Sequence, residues 1–254
     1  MKKLYKKSEI TFAILWIVIY TVGMGTLKSN FGLDSLWQML GLIVLSAAMF
    51  LFVSRNGLME KYGLARWAKN SKAMLWFIPL CILSCMNLFS GFSPDYPAPG
   101  LNFAAVSMAL VGFVEELLFR GFLFKAMLKD GNVKAAIIIS SVTFGLGHIF
   151  NLFTGQALIE TLNQVVFAVV VGFVFTFVFY KSGSLLPGIL AHSFIDVSSV
   201  FASNEGSQLV DLILHIVIIV ISAVYCLYLA KHVDTPPINR VNLQKESASD
   251  PNKP

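Results

Sequence analysis

Charge is scarce in this chain. Asp, Glu, Lys and Arg make up 13% of its 254 residues, against 56% hydrophobic residues and a mean hydropathy of +0.74. Soluble globular domains carry roughly 25% charged residues, so a water-soluble fold is excluded before any motif is read. Cysteine is scarce too. Cys81, Cys85 and Cys226 are odd in number, sit in apolar stretches and lack ligand spacing, which excludes a disulfide framework and a cysteine zinc cluster. There is no internal repeat. The net charge of +5 comes from lysines and arginines in short loops, so no nucleic-acid partner is expected.

Long apolar runs take the place of these features. Eight stretches approach the roughly 20 residues that a helix needs to cross a bilayer. They lie near 10–27, 36–53, 73–92, 102–125, 134–153, 158–180, 184–203 and 208–230. The expected fold is all-α, a polytopic membrane helix bundle of about eight transmembrane helices with the lipid bilayer as its surroundings. The run after "MKKLYKK" lacks a small-residue cleavage site and precedes further spans, so it reads as a retained helix. Of the 19 basic residues, Arg120 falls inside a span and Lys28 stands alone on one side. All the others fall on the opposite side, which predicts cytoplasmic N- and C-termini. The polar tail 233–254 is expected to be disordered.

Ionisable groups within spans are costly, at least ~2.5–3.5 kcal/mol each at mid-bilayer, and mark function by default. The fourth span carries Glu115, Glu116 and Arg120 inside "GFVEELLFRGF". His148 and Asn151 lie in the fifth, His192 and Asp196 in the seventh, and Asp211 and His215 in the eighth. Counting from Lys125, Lys134 and Lys181 places Glu115, His148, His192 and Asp196 about 15, 21, 16 and 22 Å from the cytoplasmic helix ends. Three helices thus deliver acid, imidazole and carboxylate to one layer, which the count suggests is reached from the cytoplasmic side. Glu116 and Arg120, four residues apart and acid first, suit an ion pair along one face. Glu115 is turned about 100° away, towards Gly112 and Phe119, and is left as the free carboxylate. Gly145 and Gly147 would let a neighbouring backbone approach His148 closely. Asp211 and His215 match no motif and read as structural.

A carboxylate beside two imidazoles, away from bulk water, can act as general base for a water molecule. The imidazoles can donate to an oxyanion. The same set, Glu115, His148 and His192, could instead hold one divalent metal such as zinc with an open position. Either arrangement suits hydrolysis of an acyl bond, a peptide bond first.

The segments "EELLFR" (115–120), "FGLGH" (144–148) and "HSFID" (192–196) resemble the EExxxR, FxxxH and HxxxN/D motifs of the CAAX-protease and bacteriocin-processing (CPBP, or Abi) intramembrane proteases. That family includes the type II CAAX prenyl endopeptidases. The resemblance covers roughly 100–203, four of the eight expected spans. It divides the sequence into N-terminal helices (1–99), a catalytic core (100–203), a last helix (204–232) and the tail (233–254).

The resemblance implies an intramembrane endopeptidase that processes a membrane-associated or exported peptide or protein, of CAAX, bacteriocin or pheromone type, in a bacterial plasma membrane. It implies that Glu115 and His148 activate water and that His192 and Asp196 stabilise the oxyanion. Glu116, Arg120 and Asn151 would support them, and a metalloprotease mechanism is open. Asp196 stands where the eukaryotic pattern has Asn. An anionic carboxylate cannot donate to an oxyanion, so Asp196 either orients His192, is protonated, or binds a metal. Two other classes compete: an ion- or proton-coupled transporter whose acids and histidines form a relay, and a non-catalytic bacteriocin-immunity protein on the same fold.

Overall fold

A computed structural model describes residues 1–93, 96–129, 131–202 and 208–240, without the side chains of Ser90 and 208–212. The regular elements among the described residues are all helical, and the isolated pairing of Phe92 with Ala202 is the β-contact found among them. A short α1 (Lys2–Lys7) precedes α2 (Glu9–Phe31) and α3 (Leu36–Arg55). Ser8 and Ser35 start these two spans by accepting from the amides of Thr11 and Gln38, each at 3.1 Å, which satisfies donors that a helix start leaves open. Next come α4 (Ile78–Ser84), the long α5 (Gly100–Leu128) and α6 (Val133–Gly147), which tightens into a 3₁₀ turn over His148–Thr154. The bundle closes with α7 (Leu158–Ser182), α8 (Leu186–Phe201) and α9 (Gln208–His232).

Six of these helices are long and apolar enough to cross a membrane, and the protein is an integral membrane protein. The other two expected spans are shorter. The sixteen residues of α8 reach about 24 Å. The segment expected over 73–92 is broken into a 3₁₀ turn (Leu75–Phe77), α4 and a second 3₁₀ turn (Met86–Ser90). Its break lies at Leu75, Trp76 and Phe77, all with positive φ, followed by Pro79 in the first turn of α4. Composition reads the whole run as one span because it registers hydrophobicity and not backbone direction.

Cross-links join helix ends at both ends of the bundle. At the lysine-rich end, Lys61 and Lys129 both pair with Glu9, and the amide of Lys69 donates to the Ser182 carbonyl. At the other end Lys28 meets Asn151, and Phe92 pairs with Ala202. The first part of the expected disordered tail is placed at the lysine-rich end. Lys181 donates to the Val233 carbonyl at 2.7 Å, and Lys125 reaches Asn239 Oδ1 at 2.9 Å. Fully buried Asn239 donates to the carbonyls of Phe179 and Tyr180. These buried backbone acceptors and lysines need polar partners, and 233–240 supplies them. Residues 241–254 lie outside the described residues.

Close packing of α8 against α5 sets the centre of the fold. A Cβ on Gly112 would lie 2.5 Å from the Ser193 backbone nitrogen and 2.8 Å from its Cα. Gly145 meets the backbone of α7 in the same way, at Val169 N and Val165 O, whereas a Cβ on Gly147 would meet nothing within 4 Å. Gly112→Ala should therefore destabilise the detergent-solubilised protein by about 1–3 kcal/mol, read as a lowered Tm. Gly147→Ala should leave Tm unchanged or slightly raised, because alanine is the better helix former. Equal effects of the two substitutions would contradict this packing.

Candidate active site

The bundle centre holds a buried polar cluster that starts from one ion pair. Arg120 Nη1 donates to Glu116 Oε1 at 2.8 Å, and both side chains are wholly buried. Arg120 Nη2 donates to the Gly172 carbonyl on α7 at 3.1 Å. Its guanidinium lies over the rings of Phe144 and Phe175, 4.2 and 5.3 Å from their centroids, a favourable placement for a buried cation. The pairing expected from the four-residue spacing is therefore present. It sits in a feature that the spacing did not disclose: Glu116–Phe124 is a π-helical stretch with every residue buried. Such widened turns recur at functional sites.

Glu116 does more than neutralise Arg120. The same Oε1 lies 3.1 Å from His192 Nδ1. Glu116 is thus the shared acceptor that joins α5 to α8, while its other oxygen, Oε2, accepts no hydrogen bond. Held at Nδ1, His192 turns Nε2 towards two further carboxylates: Glu115 Oε2 and Asp196 Oδ2, each 3.5 Å away. Phe175 stacks on the His192 ring at 5.1 Å. Asp196 Oδ2 is buried and makes no hydrogen bond, so its link to His192 is an electrostatic contact across one helical turn.

Glu115 is fixed by a residue that the sequence reading missed. The Tyr20 hydroxyl on α2 donates to Glu115 Oε1 at 2.6 Å. The missed signal was a phenol within an otherwise apolar span, where its hydroxyl needs a partner. His148 donates from Nδ1 to the Phe144 carbonyl at 3.3 Å. A carbonyl can only accept, so the neutral ring keeps its acceptor at Nε2. Phe144 packs edge-on against both histidines, with centroids 5.4 Å from each.

A cavity of about 180 Å³ has Glu115, His148, Asn151 and Asp196 on its wall, with Tyr20, Phe119 and Phe144. Asn151 is held by Gln164 Oε1, which accepts from its amide at 2.8 Å. Glu116, Arg120 and His192 lie behind this wall. Of the remaining sequence candidates, His215 packs near Phe167 on α7, 6.4 Å between ring centroids, and does not line the cavity. The Asp211 side chain lies outside the described residues.

The cavity lining extends to the lysine-poor end of the bundle, whereas the depth count expected access from the lysine-rich side. Its outer wall consists of Lys28, Leu33, Gln38, Phe150 and Thr154, at the lysine-poor end of the bundle. Towards the lysine-rich end the buried stretch Glu116–Phe124 forms a closed floor. Distances of 15–22 Å from one helix end, in a core about 30 Å thick, place a residue at or beyond the midplane. They say how deep the layer lies and not which face it opens to.

Among the described residues no three His, Cys, Asp or Glu side chains form a metal-holding group. Within the expected trio, Glu115 Oε1 accepts from Tyr20 and His148 Nδ1 donates to the Phe144 carbonyl, which leaves Glu115 Oε2 and His148 Nε2 as the open acceptors. No chemical step is routed through a metal below.

Comparison with known proteins bears on the same stretch of sequence. No curated protein and no solved structure matches it. A family model described as "Type II CAAX prenyl endopeptidase Rce1-like" matches residues 97–198, which hold Glu115, Glu116, Arg120, His148, His192 and Asp196. Over residues 97–198, which are 102 of its 254 residues, the chain is accordingly similar to the type II CAAX prenyl endopeptidases.

Proposed function

We propose that the protein is an intramembrane endopeptidase that hydrolyses a peptide bond with a water molecule activated by Glu115. The observation that carries this reading is a carboxylate, Glu115, and an acceptor imidazole, His148, on one cavity wall, with the His192 imidazole behind it and Nε2 3.5 Å from Glu115 Oε2. Glu115 Oε2 accepts a proton from water while His148 Nε2 holds the second hydrogen. The water oxygen attacks the carbonyl carbon, and the carbonyl oxygen becomes an oxyanion.

His192 is the donor to that oxyanion. Glu116 takes its Nδ1 hydrogen, so the ring is oriented with Nε2 towards the reacting layer. Asp196, 3.5 Å from Nε2, helps to orient that donor towards the reacting layer. This role suits a carboxylate where the eukaryotic pattern has Asn, because orienting a donor needs an acceptor. Glu115 then passes its proton to the amide nitrogen, the C–N bond breaks, and an acid and an amine leave. Tyr20 keeps Glu115 pointed at the water throughout. By lysine asymmetry the closed floor faces the cytoplasm and the cavity opens to the outer face, so the substrate is membrane-associated or exported and is cut from that side.

Three measurements test this. Glu115→Gln should lower turnover by about 10²–10⁴-fold with Tm near that of the wild type. Glu116→Gln should lower Tm and yield, because breaking a fully buried ion pair costs about 3–5 kcal/mol. The reverse order would assign the base to Glu116, and full activity in Glu115→Gln would end the endopeptidase reading.

Asp196→Ala should lower kcat roughly tenfold or more with a smaller change in KM, since one charge-assisted contact is worth about 1.5–3 kcal/mol. Asp196→Asn should keep part of that activity. Unchanged kcat in Asp196→Ala would reduce Asp196 to packing.

Thr154→Cys, in a background lacking Cys81, Cys85 and Cys226, should react with a membrane-impermeant maleimide on intact cells. Reaction only after permeabilisation would reverse the orientation.

A further inference from the structure

The cavity is chemically polarised. Its acids, Glu115 and Asp196, lie at the deep end, and among the described residues its lining cation, Lys28, lies at the outer wall. Lys28 belongs to the last turn of α2 and is half-buried. Its ammonium touches Asn151 Oδ1 at 3.4 Å and makes no ion pair among the described residues. The amide end of Asn151 is fixed by Gln164, so its oxygen is presented to Lys28. An ammonium has three donors, and one weak neutral acceptor leaves it short of partners.

Lysine at a helix C-terminus also offsets the helix dipole, but that role is met by a side chain in solvent. A stem near a membrane face normally carries its charge outward to water. Here the charge is kept on the wall of the cavity, at the end of the bundle otherwise devoid of lysine and arginine. Tyr20, which holds Glu115, lies eight positions earlier on the same helix, so Lys28 stands about 12 Å from the reacting layer along α2. An extended peptide covers that distance in roughly three to four residues.

We propose that Lys28 is a specificity-determining residue: it seats a carboxylate of the substrate peptide at the mouth of the cavity, three to four residues from the bond to be cut. This rests on the endopeptidase reading above. A carboxylate has two sources, the C-terminus of the peptide or an acidic side group along it. Both satisfy the ammonium, with Asn151 and Gln164 bracing it, and both leave Glu115 and Asp196 clear of like charge.

The test uses full-length protein in nanodiscs and three pools of N-palmitoylated octapeptides. One has a free C-terminus and no acidic residue, the second an amidated C-terminus and one Glu, and the third is amidated with Gln in place of that Glu. Binding is measured on the Glu115→Gln protein with Lys28 intact or changed, and cleavage by mass spectrometry on protein with Glu115 intact. At least one carboxylate pool should bind roughly tenfold or more tightly than the neutral pool, and the pool that does so identifies the source. Lys28→Glu should abolish that preference. If Lys28→Glu does not fold, Lys28→Gln serves, and should bind all three pools alike.

Equal binding of the pools to protein with Lys28 intact, or a carboxylate preference that survives both substitutions, overturns the assignment. Selective binding without cleavage of any pool sinks the endopeptidase reading and leaves Lys28 as a carboxylate site. Cleavage without selectivity does the opposite.

Discussion

The buried pair of Glu116 and Arg120 is the interaction on which the rest of the centre depends. Neither ion survives alone in a low-dielectric interior, since an unpaired buried charge costs several kcal/mol. Each therefore collects every partner within reach. Arg120 takes the Gly172 carbonyl and the faces of Phe144 and Phe175, which ties α5 to α6 and α7. Glu116 takes His192, which ties α5 to α8. Four helices are thereby registered by one pair of charges, in a medium where apolar packing alone discriminates poorly between helix positions.

The same pair separates two functions that adjacent glutamates could otherwise confuse. Glu116 lies behind the cavity wall with Oε1 shared between Arg120 and His192; Glu115, one position earlier, has one oxygen on Tyr20 and the other beside His192. One acid holds the helices together and the other lines the cavity. Phe144 contributes to both sides of this division, since it underlies the Arg120 guanidinium and packs against both histidines. The fully buried stretch that carries the pair also seals the cavity from the lysine-rich end. One segment therefore positions the buried pair and bounds the cavity at that end.

Much of this was legible without coordinates. Apolar run length demands membrane helices, since backbone polar groups in a bilayer must be satisfied within the segment. The four-residue spacings of Glu116 with Arg120 and His192 with Asp196 place each pair on one helix face, and both pairs are in contact. Lysine counting brought Glu115, His148, His192 and Asp196 to a common layer; Glu115, His148 and Asp196 share a cavity wall, with His192 behind it. These readings succeed because helical rise and phase are local properties, carried by residue number alone.

Tertiary structure alone decided the contacts between helices that sequence leaves far apart. Tyr20 lies 95 positions from Glu115, and no local pattern links them. Phase assigned Glu116 to Arg120 but could not show that the same oxygen holds His192, 76 residues later. Depth along a helix has a magnitude but no direction of access, so the opening of the cavity towards Lys28 depended on which face the surrounding helices leave uncovered. The packing of 237–239 against Lys125 and α7 was hidden for a related reason. Its polar composition matches disorder when read alone, and matches capping once buried carbonyls and lysines stand beside it. Sequence determined which residues are charged, how deep they lie and which face of its own helix each occupies. Pairing across helices required the fold, because in a membrane it is buried charge seeking partners that chooses between otherwise equivalent apolar faces.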